Sequence, residues 1–224
     1  MFKNLLHFPK SDWAPMCAMY IQKSVSYYLD NQGSCSVMLT GGMSAALVYA
    51  ECTKQKLLTS TSGISFYFSD ERAVPFNHPD SNYCNAISTL FIDPLSYVNN
   101  NIYPIVFDGS LLDIIAKNYE QMLPDSLDLL LLTFSSDGHI ASIFPGDATL
   151  SEYFRKVLPV NNGGYSHPRL TITPRVILDA KLVCVLLNGE QKIQLFYEMI
   201  QDIRLFKSLP VGLLANATWL MSDG

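Results

Sequence analysis

Charge is scarce in this chain. Asp, Glu, Lys and Arg make up 16% of its 224 residues, against about a quarter in ordinary soluble domains. The balance is acidic, at −5. No basic stripe is available to neutralise a phosphate backbone, so nucleic acid is not an expected partner. Cysteine is sparse too: Cys17, Cys35, Cys52, Cys84 and Cys184 are odd in number and never fall in a C-x-x-C pair. Neither a disulfide framework nor a zinc knuckle is expected, and a reducing cytoplasm is the simplest setting. No apolar run approaches the roughly 18 residues of a membrane span. Met1 to Pro15 offers only Leu5-Leu6 before His7 and Pro9, unlike a secretory leader. Three nucleotide and hydrolase signatures are also missing: the P-loop spacing G-x-x-x-x-G-K-[ST], the G-x-G-x-x-G fingerprint and the G-x-S-x-G serine elbow.

What is present is oily. Apolar residues reach 49% and aromatics 12%, too much for disorder and ample for a core. The length is about one and a half times that of a usual domain and reads as one domain spanning 1–224. The same oiliness suits a large core and a subunit contact equally, so no oligomeric state is read from it.

Two periods alternate. Ile21, Val25, Tyr28 and Leu29 fall on one helical face, and Gly33 follows as a stop signal. Cys35 to Leu39 is a short apolar run ended by Thr40-Gly41-Gly42, the pattern of a buried strand and a tight turn. Residues 44–58 look helical and Ile64 to Phe68 reads as a strand. Asp80 or Ser81 is placed to cap a helix running to about Leu90. Leu111, Ile115, Tyr119 and Met122 form another helical stripe, closed by Pro124. Leu127 to Phe134 and Leu182 to Leu187 are nearly all apolar, as strands buried on both faces are. Ile193, Phe196, Tyr197 and Ile200 complete a last helix, and Asn161-Asn162-Gly163-Gly164 reads as a loop. The alternation predicts an α/β fold: a doubly wound, mainly parallel, Rossmann-like sheet with helices on both faces.

Such sheets bind ligands beyond the carboxyl ends of their strands, and that is where the polar clusters lie. Gly41-Gly42 and Ser44 open a helix after a strand, where converging N–H groups favour an anion; an isolated Gly-Gly serves as readily for a turn. Arg72, Arg169 and Lys192 are candidate phosphate partners, although a single loop cation is more often a solvated charge. Asp70 and Glu71 are open to three roles: orienting Arg72, touching substrate hydroxyls or capping. His139, two residues after Asp137 and around Gly138, is placed to be a general base with a pKa near neutrality. His7, His78 and His167 lack such surroundings and are assigned surface or structural roles. No metal is expected, since no second His or Cys lies at ligand spacing.

Together these motifs resemble a family. Thr40-Gly41-Gly42, the block from Phe68-Ser69-Asp70-Glu71-Arg72 through His78-Pro79-Asp80-Ser81-Asn82-Tyr83, and Asp137-Gly138-His139-Ile140-Ala141-Ser142-Ile143-Phe144-Pro145-Gly146 are similar to 6-phosphogluconolactonases, as are Arg169-Leu170-Thr171-Ile172-Thr173 and Gly189-Glu190-Gln191-Lys192. The resemblance implies a lactonase-type fold and hydrolysis of 6-phospho-D-glucono-1,5-lactone to 6-phosphogluconate in the oxidative pentose phosphate pathway. It implies a sugar-phosphate lactone as partner and no organic cofactor. In that picture His139 takes a proton from water, Asp137 shapes its loop, and Arg72, Lys192 and the amides around Gly41, Gly42 and Ser44 hold the phosphate, with Arg169 assisting.

The chain departs from that pattern at Thr133 and Ser135, where the family usually has glycine, and at Met43-Ser44-Ala45, where it usually has Ser-Thr-Pro. If Thr133 needs positive φ, strain of about 1 kcal/mol or more is expected there. Two alternatives stand beside the lactonase. Glucosamine-6-phosphate deaminase carries an acid five residues after its histidine, where this chain has Phe144. The other is a sugar-phosphate binder of the same fold that has lost its chemistry.

Overall fold

The computed structural model describes residues 4–58, 60–93, 98–160 and 166–223. Its strands are β1 (Asn4–Phe8), β2 (Cys35–Leu39), β3 (Ile64–Phe68), β4 (Asp70–Arg72), β5 (Asn101–Ile102), β6 (Leu129–Leu132), β7 (Val157–Val160), β8 (Arg169–Ile172), β9 (Leu182–Leu187) and β10 (Thr218–Ser222). The α-helices are α1 (Trp13–Gln32), α2 (Met43–Lys54), α3 (Asn82–Thr89), α4 (Leu112–Met122), α5 (Pro174–Asp179), α6 (Glu190–Gln201) and α7 (Ile203–Ser208).

Seven strands form one sheet in the order β1-β10-β9-β6-β2-β3-β5, with every neighbouring pair parallel. This is the expected α/β architecture. Leu129, Leu130, Leu131 and Leu132 in β6 are all fully buried. Successive strand side chains point to opposite faces, so both faces of the sheet are covered there. From β2 the chain winds outward to β3 and β5, then returns to β6 on the other side of β2. The reversal leaves a crevice beyond the ends of β2 and β6, the position where open parallel sheets take ligands.

Two buried tyrosines fix the strand ends near that crevice. The Tyr49 hydroxyl donates to Thr40 O at 2.9 Å and accepts from Thr40 N at 3.0 Å. The Tyr119 hydroxyl accepts from Phe68 N at 2.7 Å. Each helix thereby satisfies backbone groups of a strand that has run out of ladder partners. At the far side of the sheet the Trp13 indole donates to Leu220 O, tying α1 to β10.

The structure departs from the sequence expectations in places. The helix expected over 44–58 ends at Lys54, and Lys56 and Leu58 then take left-handed conformations (φ 55° and 56°) that stop it. The cap of α3 is Ser81, whose Oγ accepts from Cys84 N. Ser69 to Arg72, just beyond the strand read at Ile64 to Phe68, contains a strand of a second sheet that was not expected: β4, β8 and β7 form an antiparallel trio in the order β4-β8-β7. All five cysteine thiols are free. The Asn161–Gly164 loop lies outside the described residues. No helix among those residues is long and apolar enough to cross a membrane.

Candidate active site

The crevice opens into a cavity of about 220 Å³ lined by Thr40, Gly41, Gly42, Asp70, Arg72, Asn82, Thr133, Phe134, Ser135, His139, Ala141, Arg169 and Lys192. It is smaller than the roughly 300–1,000 Å³ of drug-sized sites and its lining is rich in polar groups, which suits a small charged metabolite. Of the residues singled out from sequence, Gly41, Gly42, Asp70, Arg72, His139, Arg169 and Lys192 meet in this cavity. Ser44 and Asp137 stand behind it, against Lys192 and His139 respectively.

Backbone geometry sets the first wall. Gly42 begins α2 at φ 92°, in the left-handed range that favours glycine, and α2 has no side-chain cap. Its first-turn amides therefore carry the helix's positive end without a built-in acceptor. Gly41 is required for a different reason: a Cβ there would lie 2.0 Å from Asn82 Oδ1. Asn82 is a site residue that sequence reasoning quoted but gave no role. Its Nδ2 donates to Asp70 O and Oδ1, whereas its own Oδ1 is buried with no hydrogen-bond partner among the described residues.

Lys192 rises from the first turn of α6. Its Nζ donates to Thr133 Oγ1 at 3.0 Å and to Ser44 Oγ at 3.4 Å, and the Thr133 hydroxyl donates in turn to Leu186 O at 3.1 Å. Lys192 makes no ion pair among the described residues, and burial pushes its pKa below the usual lysine value. The condition under which Thr133 would be strained is not met. Neither Thr133 nor Ser135 has positive φ, and the threonine serves as an anchor for the ammonium. The non-glycine residue of this stretch with positive φ is Ala141, at 49°.

The small sheet forms the opposite chemistry. In the β4–β8 ladder Arg72 pairs directly with Arg169, and Asp70 with Thr171. Directly paired residues and those two apart share a face, so Asp70, Arg72 and Arg169 are presented together. Glu71 points the other way. Its carboxylate accepts from the amides of Arg72, Asn82 and Tyr83 and from Ser81 Oγ. Burial pushes its pKa up, against the pull of those amides. Glu71 is the knot that holds the loop, which settles one of the roles left open for it. Asp70 Oδ2 accepts from Ser142 Oγ at 2.7 Å, and Arg169 Nη1 donates to the same hydroxyl. Arg72 Nε is buried without a hydrogen-bond partner among the described residues, while its Nη1 donates to Asp80 O.

His139 sits on the turn after β6 with 13% of its side chain exposed. Its Nδ1 lies 2.7 Å from Asp137 Oδ1, which also accepts from His139 N. That bond makes Nδ1 the protonated nitrogen of the neutral ring and Nε2 the basic one. Burial pushes the His139 pKa below its usual value, partly offset by Asp137. Gly138 permits the turn at φ 83°, and a Cβ there would meet Leu209 Cδ1 at 2.8 Å. Phe144 packs on the imidazole, ring centroids 4.8 Å apart. Outside the cavity, the fold brings together two histidines assigned unrelated surface roles: His78 and His167 meet at Asp80.

Residues 9–220 match the family model described as glucosamine-6-phosphate isomerases/6-phosphogluconolactonase. The chain belongs to this family. A Saccharomyces cerevisiae relative, 6-phosphogluconolactonase 4, is 36% identical over 179 residues, covering 70% of this chain and 68% of its own. The 6-phosphogluconolactonase of Thermotoga maritima is 27% identical over 206 residues, with 90% and 91% covered. The solved Trypanosoma brucei 6-phosphogluconolactonase has the same fold, with a TM-score of 0.84 at 24% identity over 99% of this chain and 97% of that one. Within this isomerase and lactonase family, an apolar ring at position 144 beside His139 leaves no carboxylate there for acid–base work.

Proposed function

We propose that this protein is a 6-phosphogluconolactonase, a single cytoplasmic domain over residues 1–224 that hydrolyses 6-phospho-D-glucono-1,5-lactone to 6-phospho-D-gluconate. The observation that carries this reading is Lys192. A half-buried ammonium held only by hydroxyls, with no carboxylate beside it among the described residues, leaves its charge to be balanced by a ligand. Arg72 and Arg169, cross-strand partners, bring two guanidinium groups to one wall of the cavity, where they can receive an anion. The uncapped start of α2 adds a third source of positive potential. A phosphate monoester answers all three.

The rest of the cavity handles the sugar. Asn82 holds Asp70 and packs against the Gly41 turn, and so fixes the shape of the cavity wall. His139 Nε2 takes a proton from a water molecule as its oxygen bonds to the lactone carbonyl carbon. Asp137 holds the ring and stabilises the imidazolium that forms, as the carboxylate of a catalytic triad does. The tetrahedral intermediate then expels the ring oxygen, which accepts that proton, leaving an open-chain hydroxy acid. Anchoring the phosphate fixes the carbonyl against His139, the proximity contribution to rate.

The deciding test couples fresh lactone to 6-phosphogluconate dehydrogenase and subtracts spontaneous hydrolysis, for the native chain and His139→Ala. Acceleration by the native protein that falls about 10²–10⁴-fold in the variant is the expected result. Tight binding of 6-phosphogluconate without any turnover would instead make the protein a sugar-phosphate binder, and ammonia released from glucosamine 6-phosphate would make it a deaminase.

A further inference from the structure

We propose that His78, Asp80 and His167 form a binding site for a divalent transition-metal ion of the zinc class, outside the catalytic cavity and independent of the reaction assigned to it. One ligand atom from each lies within 4.8 Å of the other two. His167 Nε2 is 3.1 Å from Asp80 Oδ2, and His78 Nδ1 is 3.8 Å from the same oxygen. Metal–ligand bonds of about 2.0–2.2 Å in a tetrahedron place ligand atoms roughly 3.4 Å apart, and these two spacings bracket that value.

The donor chemistry agrees with the spacing. Two neutral imidazoles and one carboxylate are a borderline-soft set, matched to zinc and its neighbours rather than to calcium or magnesium, which favour all-oxygen shells. Three protein ligands leave a fourth position for water. The imidazoles meet edge to face, with centroids 5.4 Å apart and planes at 78°, so they are not stacked against each other. His78 Nδ1 accepts a hydrogen bond from Asp80 N at 3.1 Å. A metal takes that lone pair, and the exposed amide turns to water at little cost.

The location gives the ion a task. His78 and Asp80 follow Arg72 on the loop leaving β4, and His167 precedes Arg169 at the start of β8. The Ala73 amide donates to Pro168 O, the last rung before the three ligands. An ion at this point clips the open end of the β4–β8 ladder. It also orders Asp80, whose carbonyl accepts from Arg72 Nη1.

The test uses the full chain, stripped with a chelator and titrated with Zn²⁺ by calorimetry, with melting followed in parallel. One equivalent bound, with a Tm rise of roughly 5–10 °C at a hundredfold excess over Kd, is expected for the native chain. Loss of both in His78→Gln and in His167→Gln supports the site, provided that the metal-free variants melt like the native chain. A variant that fails to fold is replaced by Asp80→Asn, which removes the shared ligand. Absence of binding at micromolar Zn²⁺ overturns the proposal. So does binding that survives all three substitutions, since it would place the metal at His139 and Asp137 or at the Cys84 thiol.

Discussion

The seven-stranded sheet supplies the cavity with the loops and helix starts beyond its strands, whereas the three-stranded sheet supplies side chains from the strands themselves. Gly41, Gly42, His139 and Lys192 follow β2, β6 and β9; Asp70, Arg72 and Arg169 lie within β4 and β8. The central parallel strands β2, β3, β6 and β9 are largely apolar and buried, so they can only hold chemistry at their ends. The antiparallel strands are short and lie at the rim, where alternate positions face the cavity. On the proposed function a division of labour follows: the large sheet carries the proposed base and a half-buried ammonium, and the small one carries a cross-strand arginine pair placed to hold the phosphate.

This contrast can be broken by kinetics. His139→Ala strikes the large-sheet side and should lower kcat about 10²–10⁴-fold with little change in KM. Arg72→Ala strikes the small-sheet side, and losing charge-assisted hydrogen bonds of about 1.5–3 kcal/mol should raise KM roughly 10–150-fold while kcat is largely kept. A fall in kcat as large as that of His139→Ala would show that the small sheet takes part in the chemistry.

Thr133→Val sharpens the comparison at lower amplitude. Removing the hydroxyl between Lys192 and Leu186 O should raise KM by roughly 2–12-fold, from about 0.5–1.5 kcal/mol, and Thr133→Ser should restore it. The pH profile supplies a further check. His139 must be neutral to act, and its pKa is pushed down, so the acid limb of kcat/KM should lie below the ordinary histidine value of about 6.5. Lys192 must be charged to bind phosphate, and its pKa is also pushed down, so the alkaline limb should begin below about 10.4. The smallest effect belongs to Ala141. Replacing it with glycine relieves its left-handed backbone and should raise stability by up to about 1 kcal/mol, a Tm gain of roughly 2–4 °C.

The two sheets also differ in how far they could be read in advance. β2, β3 and β9 were visible at their observed bounds because each is a largely apolar run cut off by glycine or polar residues. β4 is three polar residues whose partner lies about a hundred positions away, and no local period marks it. The edge strand β1, half exposed, was likewise silent. The cavity residues were legible where a motif stood at a strand end, as with His139 and Lys192. Asn82 was not, because its role depends on folding back over Gly41, a contact that exists only in three dimensions. Whether Thr133 carries strain could not be decided in advance, because its φ follows from the path of the chain after β6, and the residue type does not reveal that path.

The Gly41–Asn82 contact carries one more consequence. The glycine belongs to the turn after β2 and the asparagine to α3, and their fit leaves no room for a methyl group. Lys192, far along the chain, then closes the same chamber. No fragment short of the whole span from Thr40 to Lys192 therefore contains every residue of the site, and cutting the chain anywhere between residues 42 and 192 should separate parts that only reassociation can reunite. During refolding, affinity for a phosphate ester should appear in the last kinetic phase, after helicity has returned, because closing such distant loops is the slow part of assembly. Ligand capture thus becomes a stopwatch for the completion of the fold.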